Sequence, residues 1–162
     1  MTPLSSRRCV IGRQPSSGPN RVIAVDTNVL LRYLLQPRDS RNPEWQNVAA
    51  TQLIDRTERV FISDVVVAEL EWVLEAVFSV ERQDIAELVA ALANNRRFQF
   101  EDWQALQRAL MDYREYPGAD LSDCLIVRRS VSCGASSLYT FEGEGKLGAV
   151  PGVTTLRRPA EH

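Results

Sequence analysis

The sequence predicts an α/β fold of three layers, with helices on both faces of a mostly parallel central sheet. Short apolar runs rich in β-branched and aromatic residues alternate with longer stretches of helical periodicity, and strand-helix alternation means βαβ crossovers. The first run, Val22-Ile23-Ala24-Val25, has the continuous apolar character of a central parallel strand. With 162 residues and 44% hydrophobic content the chain can bury one core and needs no second.

Residues 1–20 carry Arg7, Arg8, Arg13, several Ser, Pro and Gly, and no acid, the composition of a flexible basic tail that cannot bury enough surface to order itself. An organelle transit peptide shares that bias, but a basic arm or an upstream start codon is the preferred reading. The domain proper spans 21–162. After the first strand, Val29 to Leu35 continues as a helix, broken by Pro37 and Asp39-Ser40. Asn42-Pro43-Glu44 reads as a cap, a first-turn proline and a first-turn acid, opening a helix with Trp45, Val48, Ala49, Leu53 and Ile54 as its buried stripe. Val60-Phe61-Ile62 is the second strand, and Ser63 caps a helix carrying Val66 to Phe78. Val80 to Asn94 is a further helix, with Asn94-Asn95 as its stop. Phe98 to Phe100 is a strand, and Asp102 caps a helix through about Tyr113. Tyr116-Pro117-Gly118 turns the chain, Asp120 to Ser132 is helical, and Ser137 to Phe141 and Val153 to Leu156 are the last strands. There is no internal repeat.

A net charge of -2 excludes binding of nucleic acid through a strongly basic whole surface, so any contact with RNA or DNA falls to local patches. Three cysteines, Cys9, Cys124 and Cys133, form no C-x-x-C pair, which argues against a disulfide scaffold and a structural zinc site. No apolar stretch approaches the roughly 20 residues that span a bilayer, and the N-terminus has no apolar signal core. The expectation is a soluble chain in a reducing cytoplasm, with no membrane partner.

The chemistry points to carboxylates. Asp26 stands where the first strand gives way to a helix, the place where open α/β sheets keep their sites, although a helix cap explains a lone Asp there as well. Glu69 lies among Val65, Val66, Val67, Leu70, Trp72, Val73 and Leu74, so either something satisfies it or it lies on a solvent edge beside Glu71 and Glu75. Asp120 and Asp123 are three apart and share one side of a helix start. First-turn acids complement the helix dipole, which accounts for one of them. Two like charges beside further carboxylates raise each other's pKa unless a cation lies between. Glu142 and Glu144 stand at the end of another strand, and the one histidine is His162. Oxygen ligands without imidazole or thiolate suit Mg²⁺ or Mn²⁺ rather than zinc, and such ions serve phosphoryl chemistry with water as the nucleophile.

Other motifs are weak. No G-x-x-x-x-G-K-[ST] loop exists, and Gly143, Gly145 and Gly148 sit beside acids that would oppose a pyrophosphate. Trp45, Trp72 and Trp103 read as core rather than base-stacking residues. Cys124 and Cys133 read as buried small apolar residues. Arg96-Arg97 and Arg128-Arg129 read as solvated surface before phosphate contacts.

Four segments in register carry a resemblance: Val-Asp-Thr-Asn-Val-Leu-Leu at 25–31, Ile-Ser-Asp-Val-Val-Val-Ala-Glu-Leu at 62–70, Gly-Ala-Asp-Leu-Ser-Asp-Cys-Leu-Ile at 118–126 and Tyr-Thr-Phe-Glu at 139–142. Over about residues 21–157 the chain resembles a PIN domain, and within that family the toxin ribonucleases of VapBC toxin-antitoxin pairs. The resemblance implies a PIN-like three-layer fold and an endoribonuclease holding Mg²⁺ or Mn²⁺ at Asp26, Glu69 and Asp123. Asp120 becomes a secondary acid or cap. The family's fourth motif usually ends in Asp, where this chain has Glu142; Glu142 or Glu144 then takes that place, with Thr140 as the hydroxyl that orients a nearby carboxylate. The implied partners are an RNA substrate, a VapB-like antitoxin and a second copy of the chain in a homodimer.

Two other readings stand beside it. A PIN fold kept as an RNA-binding or assembly module would follow if Glu142 weakens the metal site. A phosphatase of the haloacid dehalogenase type also builds on an Asp at the first strand end, but resembles Asp-x-Asp-x-Thr, and Asn28 stands two after Asp26.

Overall fold

The structure, a computed structural model, describes residues 22–35 and 44–158. The tail expected over 1–20, the breaks at Pro37 and Asp39-Ser40, the Asn42-Pro43 helix start and His162 lie outside the described residues.

Three strands, β1 (Val22–Ala24), β2 (Arg59–Ile62) and β3 (Phe98–Phe100), form a parallel sheet in the order β1-β2-β3. Ile23 pairs with Val60, and Val60 with Phe98. The centre therefore belongs to β2, whose Val60 and Ile62 are fully buried, and not to the first strand. Val22 is half exposed because β1 is an edge of this sheet, so its apolar run overstated its burial. The last two strands, β4 (Leu138–Thr140) and β5 (Val153–Thr155), form a separate parallel pair. A 3₁₀ turn at Leu147–Ala149 lies between them.

Among the described residues six α-helices complete the three-layer α/β/α architecture: α1 (Thr27–Leu34), α2 (Glu44–Arg56), α3 (Asp64–Ala76), α4 (Arg82–Asn94), α5 (Trp103–Glu115) and α6 (Leu121–Ser132). Asp26, Ser63 and Asp102 cap α1, α3 and α5 by accepting from the N–H three residues on, satisfying donors that have no partner inside the helix. One core cluster runs from Leu30 and Ile54 through Val60, Ile62, Leu70, Leu74 and Ile85 to Leu106, Leu110 and Leu121.

Where helices end, long side chains hold them. Arg97 Nη1 donates to the carbonyls of Ile54, Asp55 and Thr57 at 2.8, 2.9 and 2.6 Å, closing the C-terminus of α2. Asn47 Nδ2 donates to Arg32 and Leu35 carbonyls at the end of α1, both at 2.9 Å. Arg82 donates to the carbonyls of Tyr113, Tyr116 and Ala119 and lies 3.6 Å over the Tyr113 ring, so the link from α5 to α6 is fixed from α4. Arg128 pairs with buried Asp112 between α6 and α5.

Several expectations fail here. Within α2 only Ala50 and Ile54 are buried; Trp45, Val48 and Leu53 are exposed, Trp45 by 67%. Trp72 and Trp103 are half or more exposed, though Trp103 Nε1 donates to the Ala93 carbonyl at 2.8 Å. Cys133 is exposed, while Cys124 is buried as expected. Arg97, Arg128 and Arg129 are tethers of the fold rather than solvated surface.

Candidate metal centre

Parallel strands put their C-terminal ends on one edge, so the residues that follow β1, β2 and β3 gather there. Asp26 follows β1. It is exposed, and its Oδ1 accepts from Val29 N at 2.8 Å, so the carboxylate is held at the helix start by the same bond that makes it a cap. Thr27 is 4% exposed, and its hydroxyl donates to Glu69 Oε2 at 2.5 Å, bracing α1 against α3. The orienting hydroxyl on a carboxylate is thus Thr27. Thr140 Oγ1 accepts from the Glu142 backbone N–H at 3.1 Å, shaping the turn that carries Glu142.

On α3 the two neighbouring acids part company: Glu69 keeps to the solvent edge and is satisfied by Thr27, while Glu71, expected on that edge too, is not there. Glu69 is on the exposed side, and Glu71 is the buried one, 3% exposed. At about 100° per residue, two positions apart means nearly opposite sides of a helix. Glu69 therefore reaches α1, and Glu71 reaches the other way to α6. Glu71 Oε1 accepts from Leu121 N at 3.0 Å and also takes a hydrogen bond from the Ser122 backbone. Burial pushes its carboxyl above the usual range, against those two bonds, with Asp120 and Glu75 adding repulsion.

The start of α6 carries the other acids. Asp120 is the N-cap residue but its side chain makes no capping bond. Asp123, in the first turn, is half-buried and takes a hydrogen bond from the Asp120 backbone, the reach-back of a capping box. Its carboxyl is pushed above the ordinary range first by burial and then by Asp120 and Glu142, with Lys146 opposing the shift. Glu142 Oε2 accepts from Leu147 N at 3.4 Å, and Glu144 is exposed. This loop is pressed against the approach to α6: a Cβ at Gly118 would stand 1.9 Å from the Gly145 carbonyl oxygen, so only glycine admits the loop that brings Glu142 and Lys146 close.

The acids therefore form two groups, Asp26 with Glu69 through Thr27, and Asp123 with Asp120 and Glu142, joined through α3. Among the described residues no three His, Cys, Asp or Glu side chains stand close enough to hold one ion as placed. The donor set nonetheless fits a hard divalent cation. Mg²⁺ commonly uses one or two carboxylates, water and substrate phosphate rather than a complete protein cage, and a cation would relieve the repulsion on Asp123.

A third cluster, unforeseen in the sequence, shows the alternative. Asp64, Glu101 and Asp102, after β2 and β3, surround Arg129: Nε to Asp64 Oδ2 is 2.7 Å, Nη1 to Asp102 Oδ2 is 3.2 Å and Nη2 to Glu101 Oε2 is 3.3 Å. Burial and Glu101 push Asp64 above the usual range, with Arg129 pulling it back. Their separation in sequence, across two strands and a helix, left no local signal. Thr27 could have been found, since it directly follows Asp26.

Burial pushes the Cys124 thiol up to about 12, which removes it as a nucleophile beside Asp123. A groove of about 460 Å³ runs from Asp26 between α1 and α2, lined by Val29, Trp45, Ala49 and Leu53 among others. Among the described residues no helix is long and apolar enough to cross a membrane.

The family model of the PIN domain matches residues 23–142. A VapC ribonuclease of Aquifex aeolicus (strain VF5) is 28% identical over 117 residues, spanning 72% of this chain and 84% of that protein. No solved structure matches.

Proposed function

The chain belongs to the PIN domain family, and from that premise we propose that it is a metal-dependent endoribonuclease, the toxin of a type II toxin-antitoxin pair. The observation that carries the reading is the set of acids at Asp26, Glu69 and Asp123, in the order of the family's motifs, with Asp123 carrying a repulsion that a divalent cation would relieve. Asp26, Glu69 and Asp123 would hold Mg²⁺ or Mn²⁺, with Glu142 as a further oxygen donor and Asp120 as a secondary acid. A bound ion of this kind supplies Lewis acidity toward a phosphodiester and lowers the pKa of water to make hydroxide available near neutrality.

The chain's own side chains position that chemistry. Thr27 fixes one oxygen of Glu69, and the capping bond fixes one oxygen of Asp26. Lys146, whose charge is felt at Asp123, offers a cation to a substrate phosphate. Cys124, the thiol beside Asp123, is held protonated by burial, so water is taken as the attacking group.

Partners follow from apolar surface. Val65 and Trp72 on α3 are 73% and 63% exposed; a second copy packed on these two side chains forms a homodimer whose acidic sites, Glu69 included, stay open and flank one RNA groove. The groove between α1 and α2 takes a VapB-like antitoxin, its apolar walls leading to Asp26. We place the chain in the cytoplasm, where such a pair acts.

Purified protein is incubated with total RNA and Mg²⁺ or Mn²⁺, beside EDTA and Asp26→Asn. Fragments lost in both controls are the expected result; equal cleavage by Asp26→Asn overturns the mechanism. A second reading, a PIN-fold RNA-binding or assembly module, is favoured by the open spacing of the acids and by Glu142 in the fourth motif. Absence of Mn²⁺ binding would select it.

A further inference from the structure

We propose that Glu71 is a positioning residue for the acidic site: a buried carboxylate on α3 that fixes the first turn of α6, and so sets Asp123 relative to Glu69. The inference rests on the nuclease reading. A helix start needs acceptors for its free N–H groups, and a local Asp at the N-cap is the inexpensive solution. Asp120 stands there and does not cap. The acceptor comes instead from fifty residues away, Glu71 Oε1 to Leu121 N at 3.0 Å, with Ser122 N–H as a second donor.

Burying a carboxylate to 3% exposure is costly, whereas a surface Asp or Ser capping the same turn is not. What the long-range cap achieves, and a local one does not, is a direct bond between the helix that carries Glu69 and the turn that carries Asp123. It also leaves the Asp120 side chain out of the cap, beside Asp123. Because Glu69 is braced to α1 by Thr27, the chain of bonds from α1 through α3 to α6 spans all three principal acids.

Reach and charge separate the role. Glu71→Gln keeps the reach of an oxygen acceptor without the charge; Glu71→Asp keeps the charge but is one methylene short of Leu121 N. Mn²⁺ affinity of the full chain is measured by electron paramagnetic resonance, and amide exchange of Leu121 and Ser122 by NMR. Glu71→Gln is expected within about threefold of the parent affinity, and Glu71→Asp about 10–100-fold weaker, the loss typical when a group orienting a ligand is withdrawn. Exchange at Leu121 and Ser122 should accelerate in Glu71→Asp alone. Affinity that follows charge, with Asp better than Gln, overturns the proposal, as does faster exchange with parent affinity, which reduces Glu71 to a cap. If Glu71→Asp does not fold, a loss beyond tenfold in Glu71→Gln overturns it. A parent chain that binds no Mn²⁺ while Glu71→Asp still speeds exchange fells the nuclease reading and this inference with it, leaving the cap alone.

Discussion

Asp123 works against the fold when no cation is near, because burial and two neighbouring acids raise its carboxyl above the value it has in the unfolded chain. The folded state then binds the proton more tightly than the unfolded one, so ionisation at neutral pH subtracts stability, and protonation on acidification returns it. Asp123→Asn is therefore expected to raise the melting temperature of metal-free protein at pH 7. The gain should shrink as pH falls through the folded-state value toward about 4, the ordinary Asp pKa. Excess Mn²⁺ should reverse the order by stabilising the parent alone, and equal melting curves at pH 7 in EDTA would contradict this account. The two described cysteines give a second check. A thiol reagent followed by mass spectrometry is expected to label exposed Cys133 and to spare Cys124 until the chain unfolds. At this scale the sequence pointed to carboxylates without fixing their orientations. Glu69 and Glu71 sit in the same apolar stretch, and its pattern is too uniform to fix which side of the helix is buried.

Elements were more legible than their surroundings. Each described strand and helix falls within a few residues of its expected place, because the β-branched runs and capping residues are local signals. Which strand is central was not local, nor was the fate of the tryptophans: Trp45 on α2 and Trp72 on α3 face outward, while Ala50 and Ile54 on the former helix and Val67, Leu70 and Leu74 on the latter do the packing. The arginine tethers were equally hidden, since their partners are distant in sequence. Arg129 is the clearest test among them, as it separates three carboxylates following β2 and β3. Arg129→Met is expected to cost about 1–2 kcal/mol at pH 7 in urea unfolding, below the figure for a fully buried pair because the side chain is a third exposed. Because Asp64 is already raised by burial and Glu101, the defect should diminish as pH falls below 7 and Asp64 takes up a proton, whereas Asp102, held low first by its bond from Ala105 N–H, stays ionised longer. A defect that grows on acidification would rule out repulsion as its cause.

At the scale of the whole molecule, the described residues leave much aromatic and aliphatic surface exposed, part of it Trp45, Val48 and Leu53 on α2 and Val65 and Trp72 on α3. That surface could not be read from composition, which records how much apolar material exists and not where it lies. Trp72→Glu is expected to convert a dimer into a monomer in light scattering while leaving the melting transition of the domain in place; an unchanged mass would remove α3 as the contact. The position of Lys146 has a practical consequence. It is the one lysine of the sequence, and its charge is felt at Asp123. An amine-reactive dye therefore has a single side chain to find, at the rim of the acidic site. One conjugation step would turn the protein into its own fluorescent sensor, reporting ions, RNA or an antitoxin as each arrives.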